Sequence, residues 1–492
     1  MDRTSKQPGV QITPASLCLF TTWSLLLLGS EVFAEDWPQF RGPNCSGVST
    51  SRNLPTEFSL TDKLRWEATL GEGISSPIVV SGRLYNTAMT GPRQFSVFCH
   101  EALTGKQVWK KTFETGDLPP ITQPNLPASS TPAADKDRVY IYFSTLGMLA
   151  LDANTGEEEW HVPLDMPHYL MDWGAAASPI LYDDLVVFCS DDDLNPYLIA
   201  IDKQSGDVRW KTPRLGMLGG YSTPLICETP ERTDIVVAGT GKMKGYDPKT
   251  GEEIWTCNTL LRTIMTTPVV REGVIYVSVQ SYGDTERTLK FALLEWKDTN
   301  QDGKLTKAEV PKEFSEKFDK ADANHDGFLD GDELDHAFQS PDNIAAGGSI
   351  IQAIRGGGSG DVTKTHFLWG LNNKAASNMA SPLVVGDQLF VVKKGGLCSS
   401  FDIKSGKTHW QTKRLNNLGE YFASPVAADG KIYVTGENGF VVVLKQGDTL
   451  KVLAKNDLGG DMVVACPAIA DGRLYFRTIH KILCFAEPED PR

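Results

Sequence analysis

A Ser-Pro or Thr-Pro dipeptide followed by a short apolar run recurs along the chain, and this repeat constrains the fold more than any other feature. Successive prolines are separated by 55, 47, 45, 44, 114, 43 and 42 residues, so all steps but one fall in a narrow range. A period in this range is typical of folds that copy one supersecondary unit side by side. The eight copies are Ser76-Pro77, Thr131-Pro132, Ser178-Pro179, Thr223-Pro224, Thr267-Pro268, Ser381-Pro382, Ser424-Pro425 and the degenerate Cys466-Pro467.

Most units also contain an apolar strand ending in Asp, a turn with Gly, and a second strand with Trp four residues after the Gly. The Asp side chain can accept backbone N–H groups in the turn, and Gly adopts the positive φ that the corner requires. The Trp then lies on the second strand of a hairpin, where its ring can pack between neighbouring sheets. The copies are Asp152–Gly156–Trp160, Asp202–Gly206–Trp210, Asp247–Gly251–Trp255, Asp402–Gly406–Trp410 and, with Glu101 near the Asp position, Gly105–Trp109.

Four short strands per unit and eight units predict an all-β fold, an eight-bladed β-propeller. The regular spacing disfavours the alternative, a β-sandwich with coincidental turns. The last unit ends at Phe485 without a Trp strand, whereas residues 64–70 form a Trp strand, around Trp66, without a unit. We predict that these two strands pair and complete the last blade, because a closed ring has no exposed sheet edge.

The unit Ala/Leu-Asp-x-x-Thr-Gly-x-x-x-Trp resembles the repeat of the pyrroloquinoline-quinone-like (PQQ-like) β-propeller family. The opening segment from Asp36 to Pro43 also resembles the start of many exported bacterial propellers of this type. The resemblance covers roughly residues 36–487 apart from one insertion. Because the family includes quinone-dependent alcohol dehydrogenases and the outer-membrane assembly lipoprotein propeller, the resemblance implies the fold and leaves the activity open.

The long step of 114 residues contains two segments with the spacing of EF-hand calcium loops. Calcium takes six to eight oxygen ligands, and such a loop supplies them from positions 1, 3, 5, 7, 9 and 12, with Gly at position 6 for the sharp turn. The sequence therefore predicts two calcium ions. The predicted ligands are Asp298, Asn300, Asp302, Lys304 (carbonyl), Thr306 and Glu309 in the first loop, and Asp322, Asn324, Asp326, Phe328 (carbonyl), Asp330 and Glu333 in the second.

The two loops form a pair in this prediction. Leu305 and Leu329 occupy position 8 of each loop and are expected to pair as a miniature strand. Phe314 and Phe318 lie in the short stretch between the loops, which predicts one helix that leaves the first loop and enters the second. Exported proteins meet steady calcium, so we interpret the ions as structural rather than regulatory.

The predicted organisation places this small α-helical insertion in blade five, between a strand ending near Trp296 and a strand around Trp369. The expected segments are a signal peptide at 1–34, an N-terminal extension at 35–63, the closing strand and blades one to five at 64–296, the EF-hand pair at 297–340, a Gly-rich return linker at 341–364 and the remaining blades at 365–487.

Charge and hydropathy indicate the compartment. The chain has 62 acidic and 48 basic side chains among 492 residues, a net charge of −14, which argues against nucleic acid as a partner. Residues 17–29 are an apolar run preceded by Arg3 and Lys6, as in a secretory signal cleaved before Glu35. No later run is long enough to span a membrane, so we expect a periplasmic or secreted protein. Eight cysteines follow the cut, scattered singly and mostly in apolar runs, as expected for small buried side chains rather than a zinc or redox site.

The resemblance implies what a catalytic member would need: a calcium held at the ring centre by Glu, Asn and Asp, an Asp base, and a disulfide between adjacent cysteines stacked on the quinone. This sequence has no adjacent cysteines, so PQQ is possible but not supported, and catalytic and cofactor-binding residues are unknown. We interpret His161, His168, Asp172 and Trp173 as solvated residues of a long loop, and Asp191-Asp192-Asp193 as a charged hairpin tip.

Three functional hypotheses follow. The first is a non-catalytic exported scaffold whose loops meet another envelope protein or a polymer. The alternative is a quinone-dependent alcohol or sugar dehydrogenase. A calcium-stabilised carbohydrate binder is third, because most of the 11 Trp are already assigned to blade packing. A cluster of Glu, Asn and Asp in the central channel would favour the dehydrogenase.

Overall fold

The computed structural model describes residues 35–217, 219–261, 264–281, 294, 297–336, 348–377, 379–415, 418–419 and 422–488. The predicted signal peptide at 1–34 and the predicted strand end near Trp296 lie outside these residues. The described strands form eight sheets arranged as the blades of a propeller, as predicted. Seven of these sheets have four antiparallel strands, and the fourth blade has an additional short parallel strand at its outer edge. The first strands of successive blades contact one another around a central channel.

The four strands of each blade follow one another from the channel outward in chain order, except that the N-terminal strand forms the outer edge of blade eight. Blades one to four contain Ile78–Val80, Arg83–Gly91, Gln94–Glu101 and Gln107–Glu114; Ala133–Ala134, Arg138–Phe143, Gly147–Asp152 and Glu158–Val162; Ile180–Tyr182, Leu185–Ser190, Tyr197–Asp202 and Val208–Pro213; Leu225–Glu228, Thr233–Gly239, Lys242–Tyr246 and Glu253–Cys257. Blades five to eight contain Val269–Arg271, Val274–Ser281, Gly348–Arg355 and Phe367–Asn372; Leu383–Val385, Gln388–Lys393, Leu397–Asp402 and Thr408–Arg414; Val426–Ala428, Lys431–Thr435, Phe440–Lys445 and Val452–Asp457; Ala468–Ala470, Arg473–Arg477, Lys481–Ala486 and Leu64–Thr69.

Both ends of the ring meet in blade eight. The strand Leu64–Thr69 pairs antiparallel with Lys481–Ala486, with Leu64 opposite Phe485 and Trp66 opposite Cys484. The prediction that the strand around Trp66 completes the last blade is confirmed. This pairing gives blade eight its fourth strand and covers the edge that Lys481–Ala486 would otherwise expose.

The hydroxyl residues of the Ser/Thr-Pro repeat form a closed hydrogen-bonded ring around the channel, which we call the belt. Each belt residue accepts, through its side chain, the backbone N–H of the belt residue in the preceding blade, at 2.9–3.2 Å. Cys466 is a full member, since its Sγ accepts the N–H of Ser424 and its own N–H is donated to Ser76 Oγ. The belt consists of Ser76, Thr131, Ser178, Thr223, Thr267, Ser381, Ser424 and Cys466.

The Gly–Trp part of the repeat joins the blades further from the channel. Trp109 in blade one donates its indole N–H to Ala153 O in blade two at 3.0 Å, and its ring lies against Gly156, where an added Cβ would stand 2.6 Å from a ring carbon. The same arrangement recurs for the pairs Trp66–Gly105, Trp160–Gly206, Trp210–Gly251 and Trp369–Gly406. The Gly therefore serves two needs, a positive φ and room for the Trp of the preceding blade.

Blade five departs from the predicted boundaries. Its third strand is Gly348–Arg355, which pairs with Val274–Ser281 on one side and Phe367–Asn372 on the other. The prediction of a return linker over 341–364 is therefore wrong for these residues, since their apolar side chains are buried in the blade. The insertion lies between the second and third strands of the blade, and Trp369 lies on the fourth strand as predicted. Gly360–Asp361 adds a short parallel strand to the outer edge of blade four.

The N-terminal extension closes one end of the channel. Residues 37–48 cross the ring at the side of the turns between first and second strands, with backbone bridges from Trp37 to Val79 in blade one and from Val48 to Ala427 in blade seven. Phe40 forms part of the channel lining. Arg41 is fully buried and donates from Nη2 to Pro382 O at 2.8 Å.

The few helices are short and belong mainly to the insertion. Within the described residues, the helices with complete bounds are α1 (Ser315–Ala321), α2 (Gly331–His336) and α3 (Thr363–His366), with 3-10 turns at Pro43–Cys45 and Lys312–Phe314. Among the residues that the structure describes, no helix has the length and apolar character needed to cross a membrane. The eight cysteines from Cys45 to Cys484 are all buried free thiols, in agreement with their prediction as small apolar side chains.

Candidate functional site

The inserted segment, which we call the calcium module (residues 297–336), has the local geometry of an EF-hand pair. Leu305–Thr306 pairs with Phe328–Leu329, with Leu305 opposite Leu329 as predicted. The 3-10 turn Lys312–Phe314 runs directly into α1, which leads to the second loop, so the predicted connecting helix is confirmed. Both loop glycines have positive φ, +81° at Gly303 and +85° at Gly327.

The first residue of each loop organises the turn. Asp298 Oδ2 accepts the N–H of Gly303 at 2.9 Å, and Asp322 Oδ2 accepts the N–H of Gly327 at 3.0 Å. These two bonds hold the sharp turn at the glycine of each loop.

The second loop brings three predicted ligands together. Oxygen atoms of Asp322, Asp326 and Glu333 lie within 4.8 Å of one another. Glu333 Oε1 accepts the N–H groups of Ala323 and Asn324, whereas its buried Oε2 has no hydrogen-bond partner among the described residues. Three carboxylates this close together repel one another when no cation lies between them. Together with the unpartnered oxygen of Glu333, their arrangement fits a divalent cation.

The first loop is more open. Its carboxylates, from Asp298, Asp302 and Glu309, do not form a comparable cluster among the described residues. Glu309 is oriented by Thr299 and Thr306, which donate N–H and hydroxyl groups to its two oxygens at 2.9–3.0 Å. Burial acts to raise the pKa of Glu309, but these hydrogen bonds outweigh it and lower the pKa below its usual value.

The remaining predicted ligands occupy the expected loop positions but are not all turned toward a shared centre. The Asp330 carboxylate is paired with Lys304 Nζ at 2.8 Å across the two loops. Asn300 donates to Asp302 at 3.0 Å, and Asn324 accepts the N–H of Asp326 at 2.8 Å. The second loop is therefore close to the geometry of a cation-binding site, whereas the first loop is further from it.

The face of the ring that carries the calcium module also holds a buried ion pair. Asp191 and Arg214 are both almost fully buried, with Nε–Oδ1 at 2.6 Å and Nη2–Oδ2 at 2.8 Å. Burial acts to lower the pKa of Arg214, but the adjacent carboxylate outweighs it and raises the pKa above its usual value. Asp191-Asp192-Asp193 begin the hairpin turn between Leu185–Ser190 and Tyr197–Asp202, as predicted. Asp191 and Asp192 are nevertheless buried, because the connection at 163–177 folds over this turn.

That connection contains the His168, Asp172 and Trp173 cluster. The N–H of His168 is donated to Asp192 Oδ2 at 2.9 Å, and Tyr221 stacks on Tyr169 with ring centroids 5.0 Å apart. His161 is exposed as predicted but lies on the strand Glu158–Val162 rather than in the loop. His168, Asp172 and Trp173 are half-buried, and Tyr169 and Leu170 beside them are buried. The loop is therefore a packed part of the channel mouth.

The central channel contains a cavity of about 130 Å³. Its described lining consists of the belt, of apolar and aromatic side chains such as Phe40, Met265 and Phe422, and of Ser129 and Tyr221. The described lining includes no carboxylate, carboxamide or basic group. This set does not fit a quinone held over a central calcium, which requires several oxygen ligands of the carboxylate or amide type. No adjacent cysteine pair is present in the sequence either.

The fold and the insertion define a class: a closed eight-bladed propeller with an EF-hand pair in one blade. A family model described as outer membrane protein assembly factor BamB matches residues 58–190 and 96–315, more than half of the chain, and an EF-hand model matches residues 316–338. The chain belongs to the PQQ-like β-propeller family that this model represents, and it carries an EF-hand.

Individual relatives are distant. The outer membrane protein assembly factor BamB of Francisella tularensis subsp. tularensis (strain SCHU S4 / Schu 4) is 25% identical over 169 residues, 33% of this chain and 34% of the relative. That of Francisella salina is 24% identical over 172 residues, 33% of this chain and 30% of the relative. The chain thus spans about a third of the length of the curated relatives it matches.

Two solved structures show the same fold over most of the chain. BamB from Moraxella catarrhalis is 14% identical with a TM-score of 0.53, covering 87% of this chain and 99% of that one. The quinohemoprotein alcohol dehydrogenase from Comamonas testosteroni is 12% identical with a TM-score of 0.53, covering 93% and 82%. At these identities the likeness concerns the fold alone, because a propeller supports both binding and catalysis.

Proposed function

We propose that this protein is a non-catalytic scaffold of the cell envelope, which binds another envelope protein or a polymer through the ring face that carries the calcium module. The observation that carries the proposal is the lining of the channel. The described lining offers hydroxyl groups, most of them hydrogen-bonded within the belt, together with apolar side chains and one thiol. These groups supply neither a metal-ligand set nor a general base. The relatives described as assembly factors support a scaffold role.

The scaffold proposal is tested by adding quinone. Purified protein is incubated with PQQ and calcium, and reduction of an artificial electron acceptor is followed with alcohols and sugars. We expect no quinone-dependent turnover above that of the quinone alone. Turnover that requires both the protein and PQQ would contradict the scaffold proposal and support a quinone-dependent dehydrogenase. No feature of the described channel supports that activity.

The export of the protein is part of the proposal and has its own test. We expect the mature protein from the native host's envelope fraction to begin at Glu35, where the signal is expected to be cut. N-terminal sequencing measures this directly. A mature protein that keeps residues 1–34 and stays with the cytoplasmic fraction would contradict an envelope role.

We further propose that the two loops of the calcium module bind two calcium ions through the predicted ligands. The converging carboxylates of Asp322, Asp326 and Glu333 support the second site, and the EF-hand spacing of residues 298–309 supports the first. Because bound ions stabilise only the folded state, calcium should raise the unfolding temperature by mass action.

The substitution Glu333→Gln should abolish one of the two calcium-binding events. Loss of a group that merely orients a metal ligand costs about 10–100-fold in affinity, so the loss of a ligand should cost at least about 100-fold. Isothermal titration of the full chain measures the stoichiometry and affinity. Glu316→Gln is the matched control, since this exposed glutamate pairs with Lys320 at 2.7 Å outside the loops and should leave both events intact.

A further inference from the structure

The calcium module shares its apolar core with the ring. Leu170, in the connection between blades two and three, is 3% exposed and packs with module residues. Met171 packs against the same cluster. The module side chains in this core are Leu305, Val310, Phe314, Phe318, Leu329 and Leu334.

Two lysines of the module fix the contact on either side of Leu170. Lys297 Nζ forms an ion pair with Asp172 Oδ2 at 2.6 Å. Lys317 on α1 donates to the backbone carbonyl of Asp193, and Asp193 Oδ2 in turn accepts the N–H of Leu170 at 2.8 Å. The segment is therefore held by a buried apolar anchor flanked by charged contacts, as an amphipathic target is held in a groove.

We propose that the segment 168–172 is an intramolecular target of the calcium module, so that calcium binding and the docking of this segment strengthen each other. EF-hand pairs that respond to calcium expose an apolar groove that takes a segment of a partner. In this protein the chain itself supplies that segment, from a different blade. The inference rests on the proposed binding of calcium by the module.

The placement of the ligands gives the coupling its physical basis. Asp322 directly follows α1, which carries Phe318, and Glu333 lies in α2 next to Leu334. An ion that ties Asp322 to Glu333 thereby fixes the positions of Phe318 and Leu334, two side chains of the apolar core that includes Leu170. Coupling between two binding events is reciprocal, so whatever docking adds to calcium affinity, calcium adds to docking.

The coupling links distant parts of the ring. The module enters and leaves through blade five, whereas its target connects blades two and three. Docking therefore ties these blades together over the mouth of the channel, on the face opposite the N-terminal extension. Calcium binding would then make this face of the ring more ordered, and this is the face to which the proposed partner binds.

Hydrogen exchange of the full-length protein, with calcium and with a chelator, tests the inference. We expect residues 163–177 to exchange more slowly with calcium, although they contain no predicted ligand. In Leu170→Asp we expect this calcium-dependent protection to disappear and calcium affinity to fall by about 5–150-fold, the usual range of such coupling. Leu215→Asp is the matched control, because Leu215 is 80% exposed in the next connection between blades.

The outcomes separate the two proposals. If the wild type binds no calcium by titration, the proposed calcium sites fail. If the wild type binds calcium but exchange at 163–177 does not respond, the inference is overturned and the calcium sites stand. The inference is also overturned if Leu170→Asp binds calcium as tightly as Leu215→Asp. Should Leu170→Asp fail to fold, the exchange measurement on the wild type decides alone.

Discussion

Replacing Gly156 with alanine should destabilise the protein by about 2–5 kcal/mol, roughly 1–2 from the left-handed backbone and 1–3 from overpacking. Gly156 has φ of +72°, and a Cβ would stand 2.6 Å from the Trp109 ring. The ring cannot retreat easily, since its N–H is bound to Ala153 O at 3.0 Å and Tyr85 packs on it at 5.9 Å between centroids. Urea unfolding measures the change as a shift of the midpoint.

Gly82→Ala separates the two contributions. Gly82 has nearly the same φ, +71°, but a Cβ there would meet nothing within 4 Å. We expect a loss of only about 1–2 kcal/mol, from the backbone alone. Equal losses of stability in the two variants would mean that the contact with Trp109 does not require Gly. They would contradict our explanation of why the repeat has Gly at this position.

The double substitution Thr131→Val and Thr267→Val should cost about 2–6 kcal/mol, because each change leaves one buried N–H without an acceptor at about 1–3 kcal/mol. Valine keeps the shape of threonine and has a methyl group in place of the hydroxyl, so it cannot accept the N–H. The orphaned groups are the N–H of Ser76 and the N–H of Thr223, whose bonds to the belt are 3.0 and 3.1 Å long. The two sites lie in blades two and five, so their effects should add.

Serine variants are the controls for the belt. Thr131→Ser and Thr267→Ser keep the acceptor and lose a methyl group, about 0.8 kcal/mol each. Cys466→Ser restores the hydroxyl of the other copies and should leave the unfolding midpoint unchanged or raise it. Valine variants as stable as the serine variants would show that the belt contributes nothing to stability.

Most of the fold could be predicted because its signals are local. The turn from Asp152 to Gly156 and the strand of Trp160 are determined by residues close in sequence. Because the unit occurs eight times, its pattern remains recognisable although single copies deviate from it. The belt is not among the predictions, although it has a visible signal: seven of the eight residues before the repeated proline carry a hydroxyl. Its partners lie 42–114 residues apart, and 390 residues apart at the link that closes the ring, so these bonds become visible only in the folded structure.

The site could be predicted in part, for the same reason. The proposed ligands of both loops are predicted from the EF-hand spacing, and the structure brings Asp322, Asp326 and Glu333 together. The third strand of blade five is hard to distinguish from linker in the sequence, because the Gly-rich run from Gly356 dominates the segment. The packing of Leu170 into the module could not be predicted, because an isolated Leu in a loop carries no sign of the surface that will cover it.

Because the belt closes on itself, it does not depend on which blade contains the chain termini. The bond from Cys466 to Ser76 joins the last blade to the first at 3.0 Å, as the bond from Thr267 to Ser381 joins blades five and six at 2.9 Å across the whole calcium module. Every link runs in the same direction, and none depends on the length of chain between its partners. The ring can therefore be opened in any blade by circular permutation, or enlarged by a domain inserted in a hairpin, without breaking a link; what it cannot lose is a whole blade.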